Sequence, residues 1–397
     1  EDDLKTKKVK FKLFSDIYNW SFYDFPQFPG FKSYSFEPNP KFLTYYAQTN
    51  DGEYVYLYGN FTSYNGNTAG RILKIDKKGE VDPTFVTGTG FNANTYGYQS
   101  LYVSTEDDLT VTGDFTSYNG TSANRIIRLN PDGSIDTSFV YGTGFNNLTS
   151  GIAIDNFDKI YVGGSFTSYN GTSANRIIRL NPDGTVDTGF TYGSGFSSVV
   201  NDIAVNNDNT IFVTGYFTSY NGTTANKVIK LNPNGTVNTG FVYGSGFTIG
   251  ANLPVGVVRE NDEQVYFFGH FTAYNGISAN RIVRVNFDGS IDTSFDYGIG
   301  FNNAVSSVNI MPEGRILVKG TYTEYNGIPV SSTLILNSNG SIYRTFSDDL
   351  NGFYTIDNLV YASNEDGFNV FVSDETFPAL STSYIETNAG GKFYDIQ

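Results

Sequence analysis

The chain has 397 residues, no cysteine and one histidine, against 30 tyrosines and 34 phenylalanines. Disulfides and cysteine nucleophiles are therefore excluded, and the core must be aromatic and aliphatic. The formal net charge of −15 repels phosphate backbones and anionic lipid, which argues against nucleic acid as a partner. No apolar stretch approaches the roughly 18 residues that a membrane span needs, so we expect no membrane insertion.

Residues 1–41 precede the repeated region and contain two segments that resemble strands. VKFKLF parallels the repeated sequence RIIRLN, and SDIYNWSFYDFPQFPGF, from Ser15 to Phe31, parallels GSIDTSFVYGTGF. We therefore expect one or two N-terminal strands to complete the last repeat unit, which would remove open sheet edges. The C-terminal GGKFYDIQ also resembles an outer strand, so either terminus is a candidate for that place.

One sequence occurs six times. FTSYNG begins at Phe61, Phe115, Phe166, Phe217 and Phe271, there as FTAYNG, and returns as YTEYNG at Tyr322. Each unit contains four short β-branched or alternating runs separated by turn sequences such as NPDG. Four strands recurring at spacings of 51 to 54 residues predict a β-propeller blade and not a solenoid repeat.

The first strands of successive units are expected near Leu43, Gln99, Gly151, Asn201, Pro254, Ser306 and Ile356. The predicted fold is therefore an all-β, seven-bladed β-propeller of four-stranded blades. Residues 42–346 form six regular blades, and residues 347–397 form a degenerate seventh blade and a tail. In that blade NVFVSDETF, from Asn369 to Phe377, takes the second-strand place but lacks YNG.

The string GGSFTSYNGTSANRIIRLN followed by DGSIDTSF resembles the delta-60 repeat family, a propeller class, over about Phe42 to Phe346. The resemblance implies the fold and a setting in bacterial surface or secreted proteins or in phage virions. It transfers no catalytic residue, because propellers host unrelated activities.

The repeated side chains are expected to hold the scaffold. The tyrosine of each YNG should pack a turn between blades while the asparagine caps the loop; the alternative is a ring of exposed aromatic platforms for a sugar or peptide. A repeated cation and a repeated aspartate are expected to be structural partners or strand-end side chains. The cations are Arg71, Arg125, Arg176, Lys227 and Arg281, and the aspartates are Asp82, Asp136, Asp187 and Asp292.

Catalysis needs one asymmetric set of groups, and none stands apart from the repeat. His270, the sole histidine, occupies a variable position before a repeated phenylalanine. The acidic stretches EDD at Glu106 and NNDN at Asn206 follow no known metal-loop spacing. We expect no enzyme activity, cofactor or metal. The alternative is a glycoside hydrolase using carboxylates from the set Glu260, Asp262, Glu263, Asp374 and Glu375.

In a propeller, the second-to-third and fourth-to-first strand loops share one face. The fourth-to-first loops differ most between units, and their Asn, Ser, Thr and Tyr side chains suit recognition. The predicted binding residues are Asn92, Asn94, Tyr96, Tyr98, Asn146, Asn147, Asn252, Asn302 and Asn303. The expected partners are other virion or surface proteins or a host glycan. The predicted function is a phage tail or capsid-associated host-recognition protein; the alternative is a secreted or cell-surface bacterial adhesin.

Overall fold

The computed structural model describes residues 45–59, 61–64, 67–76, 80–93, 100–249, 255–259, 263–311, 314–345, 352–356, 359–364, 367–372 and 385–386. These residues form β-strands, turns and loops, with no α-helix among them. The predicted N-terminal closing strands fall within residues 1–41 and lie outside the described residues.

Six consecutive units each carry an antiparallel sheet whose second strand lies between the first and the third. The first strands are Tyr45–Gln48, Ser100–Val103, Thr149–Ile154, Val200–Val205, Val255–Arg259 and Val305–Ile310. The second strands are Tyr54–Tyr58, Leu109–Thr112, Ile160–Gly164, Ile211–Gly215, Gln264–Gly269 and Ile316–Gly320. The third strands are Ile72–Asp76, Ile126–Leu129, Ile177–Leu180, Val228–Leu231, Ile282–Asn286 and Thr333–Leu336. These six first strands begin close to the predicted positions.

Each YNG sequence forms a small hairpin between the second and third strands. In unit 3, Tyr169 pairs with Thr172, so Asn170 and Gly171 form a two-residue turn. Their φ angles of 45° and 79° suit the Asn-Gly hairpin turn. The hairpin strands are Ser63–Tyr64 with Asn67–Thr68, Ser117–Tyr118 with Thr121–Ser122, Ser168–Tyr169 with Thr172–Ser173, Ser219–Tyr220 with Thr223–Thr224, Phe271–Tyr274 with Ile277–Ser278, and Glu324–Tyr325 with Ile328–Pro329. Phe247–Ile249 adds a strand beside Phe271–Tyr274.

The predicted fourth strand is shorter than expected in the first five units. There it is a single β-bridge, such as Leu180 with Val186, whereas the sixth unit has a full strand, Ile342–Thr345. In unit 3 the carboxylate of Asp187 accepts the Gly189 N–H at 2.8 Å, and this turn ends the pairing. The sixth unit has Tyr343 at the place of that aspartate, so its strand continues.

The hydrophobic cores lie between consecutive units. Phe139 and Phe145 of unit 2 pack with Phe166 and Tyr169 of unit 3 in one buried cluster. The Phe145 ring centroid lies 4.5 Å from that of Phe166 and 4.7 Å from that of Tyr169. Equivalent clusters join units 1 to 2, 3 to 4, 4 to 5 and 5 to 6. A unit therefore buries its apolar surface only by packing against its neighbours.

The repeated tyrosines are buried, as the packing interpretation predicts. Tyr169 has no exposed surface, and its hydroxyl donates to the carbonyl oxygen of Gly184 at 2.8 Å. The same bond joins Tyr118 to Gly133, Tyr220 to Gly235, Tyr274 to Gly289 and Tyr325 to Gly340. The alternative of exposed aromatic platforms is wrong for these tyrosines, because their ring faces are covered.

The repeated aspartates pair with a cation, but with a different one from the series singled out in the sequence. Asp187 accepts from Arg179 Nε at 2.9 Å, and Arg179 Nη1 also donates to the Pro233 carbonyl in the turn of the next unit. The other pairs are Lys74 with Asp82, Arg128 with Asp136 and Arg284 with Asp292. Burial opposes ionisation of Asp187, yet hydrogen bonds from Gly189 and Lys159 and the Arg179 charge hold its pKa below the usual value. These pairs therefore help to join one unit to the next.

The last described strands form a four-stranded sheet in the order Gly352–Ile356, Leu359–Asn364, Gly367–Val372, Ile385–Glu386. This differs from the predicted arrangement, in which the segment from Asn369 takes the second-strand place. Ile356 pairs with Leu359, so a tight hairpin precedes the strand that contains Asn369. That hairpin moves the segment to the third place in the sheet.

We expect Tyr169→Phe to lower the free energy of unfolding by about 1 kcal/mol, because the buried Gly184 carbonyl loses its donor. Tyr141→Phe is the matched control, because the Tyr141 hydroxyl donates to the Ser122 carbonyl in a hydrogen bond that is exposed to solvent. Its loss should stay within about 0.5 kcal/mol. Urea unfolding measures both changes, and equal losses would contradict the assigned role of Tyr169.

Candidate functional site

The fourth-to-first loops and the YNG hairpins lie side by side. Phe145, which begins such a loop in unit 2, forms a β-bridge with Tyr169 in the hairpin of unit 3. The next residue, Asn146, donates its backbone N–H to the Ser168 carbonyl at 3.2 Å. For the described parts of these loops, the prediction that the two sets share a face is confirmed. We call this surface, formed by the hairpins and the loops that follow Phe91, Phe145, Phe196, Phe247 and Phe301, the hairpin face.

Three of the predicted binding asparagines hold the neighbouring hairpin. Asn146 Oδ1 accepts the N–H groups of Thr167 and Ser168 at 2.9 and 3.0 Å, and its Nδ2 donates to Thr167 Oγ1 at 2.8 Å. Asn92 and Asn302 make the same three bonds with the hairpins of units 2 and 6, respectively. The amides of these residues are therefore used within the fold, which sequence reasoning missed. The sequence feature that could have indicated this role is that each asparagine directly follows a repeated phenylalanine.

The next asparagines along the chain make local contacts. Asn147 Oδ1 accepts the Leu148 N–H at 2.8 Å, and Asn303 Oδ1 accepts the Ala304 N–H at 2.9 Å. Asn303 Nδ2 also donates to the Thr321 carbonyl at 3.3 Å, and both side chains remain exposed. The remaining predicted residues, Asn94, Tyr96, Tyr98 and Asn252, lie outside the described residues.

The repeated cation that precedes the third strand and the asparagine of each YNG hairpin also form hydrogen bonds within the fold. Arg176 Nη1 donates to the Phe196 carbonyl at 2.7 Å, and Asn170 Oδ1 accepts the Thr143 N–H at 3.1 Å. Arg176 has a φ of 68°, an uncommon conformation for a residue with a side chain. The same positive φ occurs at Arg71, Arg125, Lys227 and Arg281. The asparagine caps a loop of the preceding unit, as predicted.

A cavity of about 250 Å³ lies between units 2 and 3, among the turns that join first to second and third to fourth strands. Its lining includes Arg128 and the carboxylates Glu106, Asp108, Asp158 and Asp183. Asp108 Oδ2 is 3.9 Å from Arg128 Nε. Burial raises the pKa of Asp108; Asp136 and Glu106 add to the rise, and Arg128 opposes it. The cavity therefore places Asp108, whose pKa is raised above its usual value, near other carboxylates.

One of the five carboxylates proposed for hydrolysis lies within the described residues. Glu263 is exposed, and Glu260, Asp262, Asp374 and Glu375 lie outside the described residues. His270 is partly exposed, and its Nδ1 is buried with no hydrogen-bond partner among the described residues. Asp108 belongs to the acidic stretch EDD and was not among the carboxylates proposed for hydrolysis.

Two searches of the described part of the chain, for a metal-ligand group and for a membrane-spanning helix, found neither. No group of three or more His, Asp or Glu side chains there is arranged to hold a metal ion. Asn206, in the NNDN stretch, is buried and donates to Thr210 Oγ1 at 2.7 Å. Within the same residues, no helix has the length and apolar character needed to cross a bilayer.

Asp202 links two units through a carboxylate. Its Oδ2 accepts the Val257 N–H of unit 5 at 2.9 Å, and its Oδ1 accepts the Ile203 N–H at 2.9 Å. Burial raises the pKa of Asp202 to about 6, although these two N–H donors favour the charged form.

We expect the Asp202 carboxyl to make folding less favourable as pH rises. Its folded pKa lies above the usual value, so its contribution to stability is full below about pH 4 and is lost as pH rises through about 6. Because the side chain keeps some exposure, we expect a loss of about 1–2 kcal/mol between pH 4 and pH 7. Urea unfolding across this range should show a smaller fall for Asp202→Asn than for wild type. Wild type and Asp202→Asn should therefore differ in how the free energy of unfolding changes with pH. The same pH dependence in both proteins, or a difference no larger than that caused by the exposed-site control Glu80→Gln, would contradict the raised pKa of Asp202.

The repeated region matches a family model described as "Domain of unknown function (DUF5122) beta-propeller", at residues 49–85, 108–139, 158–190, 207–241 and 261–295. These matches fall in the first five units, and each covers the second strand and ends at the phenylalanine after the repeated aspartate or asparagine. No curated protein matches the chain.

Among solved structures, the chain is similar to the extracellular domain of a putative one-component system from B. thetaiotaomicron, with 15% identity and a TM-score of 0.46 over 83% of this chain and 39% of that chain. The extracellular domain of a putative hybrid two-component system from B. thetaiotaomicron gives 14% identity and a TM-score of 0.49, over 83% of this chain and 40% of that chain. A gluconolactonase from Xanthomonas campestris gives 13% identity and a TM-score of 0.35 over 69% and 84%. The chain spans about two fifths of the first two structures. Taken with the all-β, helix-free described region, the family matches support a β-propeller repeat family for this chain.

Proposed function

We propose that the chain is a non-enzymatic β-propeller interaction module whose hairpin face binds a protein or glycan partner. The supporting observation is that repeated residues and variable residues have different roles. The side chains that repeat from unit to unit, such as Tyr169, Arg179 and Asn170, contact other parts of the scaffold. The described parts of the loops that differ between units lie beside the hairpins, where sequence can change without cost to the repeat.

The fourth-to-first loops differ in both length and composition. They read NANTYGY from Asn92, NNLTS from Asn146, SSVV from Ser197, TIGANLP from Thr248 and NNAV from Asn302. Tyrosine offers a large contact area for few frozen torsions, and Asn and Ser offer adaptable hydrogen bonds. The proposed recognition residues are the predicted set, with Tyr96 and Tyr98 as its anchors. Asn92, Asn146 and Asn302 would support the loops around them.

The proposed setting is a phage virion, as a tail or capsid-associated protein that serves host recognition. The resemblance to delta-60 repeats supports this setting, and the flanks 1–41 and 347–397 depart from the repeat in a way that suits joining to other parts. A secreted or cell-surface bacterial adhesin is the alternative, because the same resemblance extends to such proteins. Both settings place the chain outside the cytoplasm.

We expect Tyr96→Ala with Tyr98→Ala to weaken binding to the partner or host cell by about 1 kcal/mol or more, because truncating aromatic anchors removes most of their contact. Binding to cells or to an isolated partner measures the change. An unchanged melting temperature shows that the fold is kept.

Asp132→Ala, in a turn between third and fourth strands, is the control for this double variant. Its carboxylate accepts from Ser134 within the turn, away from the hairpin face. Binding should change by less than about 0.5 kcal/mol. Loss of attachment in the turn variant, with full attachment in the tyrosine variant, would move the contact to the turn side.

One observation favours glycoside hydrolysis as a second candidate function. The cavity beside Arg128 brings together Asp108, whose pKa burial raises, and the further carboxylates Glu106, Asp158 and Asp183. Glycosidases use one protonated carboxyl to protonate the leaving oxygen and a second carboxylate as base or nucleophile. Asp108 has the character of the acid in such a pair.

Purified protein incubated with bacterial capsular and host glycans separates the two candidates. The interaction module predicts no release of reducing ends, in wild type or in Asp108→Asn. Turnover that falls by about 100-fold or more in Asp108→Asn would overturn the non-enzymatic proposal.

A further inference from the structure

Three isoleucines on the hairpin face of units 5 and 6 are exposed. Ile277, Ile299 and Ile328 expose 54%, 66% and 52% of their surface. Ile277 and Ile328 lie in the YNG hairpins of their units, and Ile299 lies in the loop between these hairpins. We call the three side chains the isoleucine patch.

The scaffold does not require apolar residues at these positions. In the other units, the place of Ile277 and Ile328 is taken by Asn67, Thr121, Thr172 and Thr223. The place of Ile299 is taken by Thr89, Thr143, Ser194 and Ser245. Four other units therefore build the same hairpins and loops with polar side chains. An exposed apolar cluster that the fold does not need is typical of an interaction surface.

Contacts between the two units place the patch on one continuous surface. Tyr297, two residues before Ile299, donates its hydroxyl to the Ser278 carbonyl beside Ile277 at 3.1 Å. Asn280 Nδ2 donates to the Ile299 carbonyl at 2.7 Å, which ties the loop to the first hairpin.

The second hairpin is tied to the same loop. The Ile299 N–H donates to Asn326 Oδ1 at 2.6 Å. A Cβ built on Gly327 would lie 3.8 Å from Ile299 Cδ1, so the isoleucine side chain lies against the turn next to Ile328.

The segments that carry the patch are acidic. Asp296 and Glu324 are exposed, and both replace uncharged residues of the other units. Asp296 stands where those units have Val86, Val140, Thr191 and Val242, and Glu324 stands where they have Ser63, Ser117, Ser168, Ser219 and Ala273. The segments 271–280, 296–303 and 321–330 contain no Lys or Arg.

We propose that the isoleucine patch docks a protein segment that presents aliphatic side chains flanked by Lys or Arg. This deepens the proposed function and rests on the hairpin face being the recognition surface. Aliphatic partner groups would bury the three isoleucines, and cations would meet Asp296 and Glu324. A second copy of this chain fits poorly, because it would bring the same carboxylates together between two chains of net charge −15.

The test uses the whole chain and a short fluorescent peptide that combines leucine and arginine. A version of the peptide with serine in place of leucine is its control. The protein variant Ile277→Thr/Ile299→Ser/Ile328→Thr introduces residues that the other units already carry, so we expect it to fold normally. Val86→Thr/Val140→Thr is the matched control, since these valines are also exposed, at 66% and 49%, but belong to units 1 and 2.

Fluorescence anisotropy should show affinity for the leucine peptide that falls by about 10-fold or more in the triple isoleucine variant and stays unchanged in the valine control. Asp296→Val/Glu324→Ser should weaken binding and reduce its dependence on salt. Equal affinity of wild type and the triple variant, or equal affinity for the two peptides, overturns the proposal. A dimer in sedimentation that the triple variant abolishes also overturns it, because the occupant is then a second copy.

A parallel measurement separates failure of the patch from failure of the proposed function. If Tyr96→Ala/Tyr98→Ala loses attachment to the partner or host cell and the triple isoleucine variant keeps both attachment and peptide affinity, the patch proposal falls and the hairpin face stands. If neither variant changes attachment or peptide affinity, both proposals fall.

Discussion

Contact between consecutive units is the constraint on which the described structure depends. Most units have three short strands and a small hairpin, and their aromatic side chains are covered by neighbouring units, as when Phe145 packs on Phe166 and Tyr169. Arg179 adds a polar link by donating to the Pro233 carbonyl of the following turn. Because these contacts recur, the chain repeats their residues, and stability is spread over the interfaces between units.

Much of the fold follows from the sequence, because period and turn chemistry are local properties. The Asn-Gly pair, as at Asn170 and Gly171, predicts the hairpin, and β-branched runs predict the strands on either side. The shortened fourth strand is harder to predict, since it depends on the side chain of Asp187 accepting a backbone N–H. The hairpin that begins at Gly352 was missed because that segment no longer resembles the other units.

The candidate site was only partly predictable, since hydrogen-bond partners depend on tertiary contacts. The sequence indicated that the loops after the repeated phenylalanines vary, and the structure places the described loops beside the hairpins. It could not show that Asn146 uses its amide to hold the hairpin of the next unit, or that Asp108 borders a cavity with Arg128. The isoleucine patch becomes visible only when exposure and the comparison of units are combined.

We assign recognition to the hairpin face and scaffolding to the repeated residues. Hydrogen–deuterium exchange of the chain, free and within the assembly or on the host surface that it contacts, tests this most directly. We expect slower exchange in the YNG hairpins and in the loops that follow Phe91, Phe145, Phe196, Phe247 and Phe301, with little change in the turns at 130–133 and 181–184. Protection confined to those turns, with the hairpin face unchanged, would contradict it.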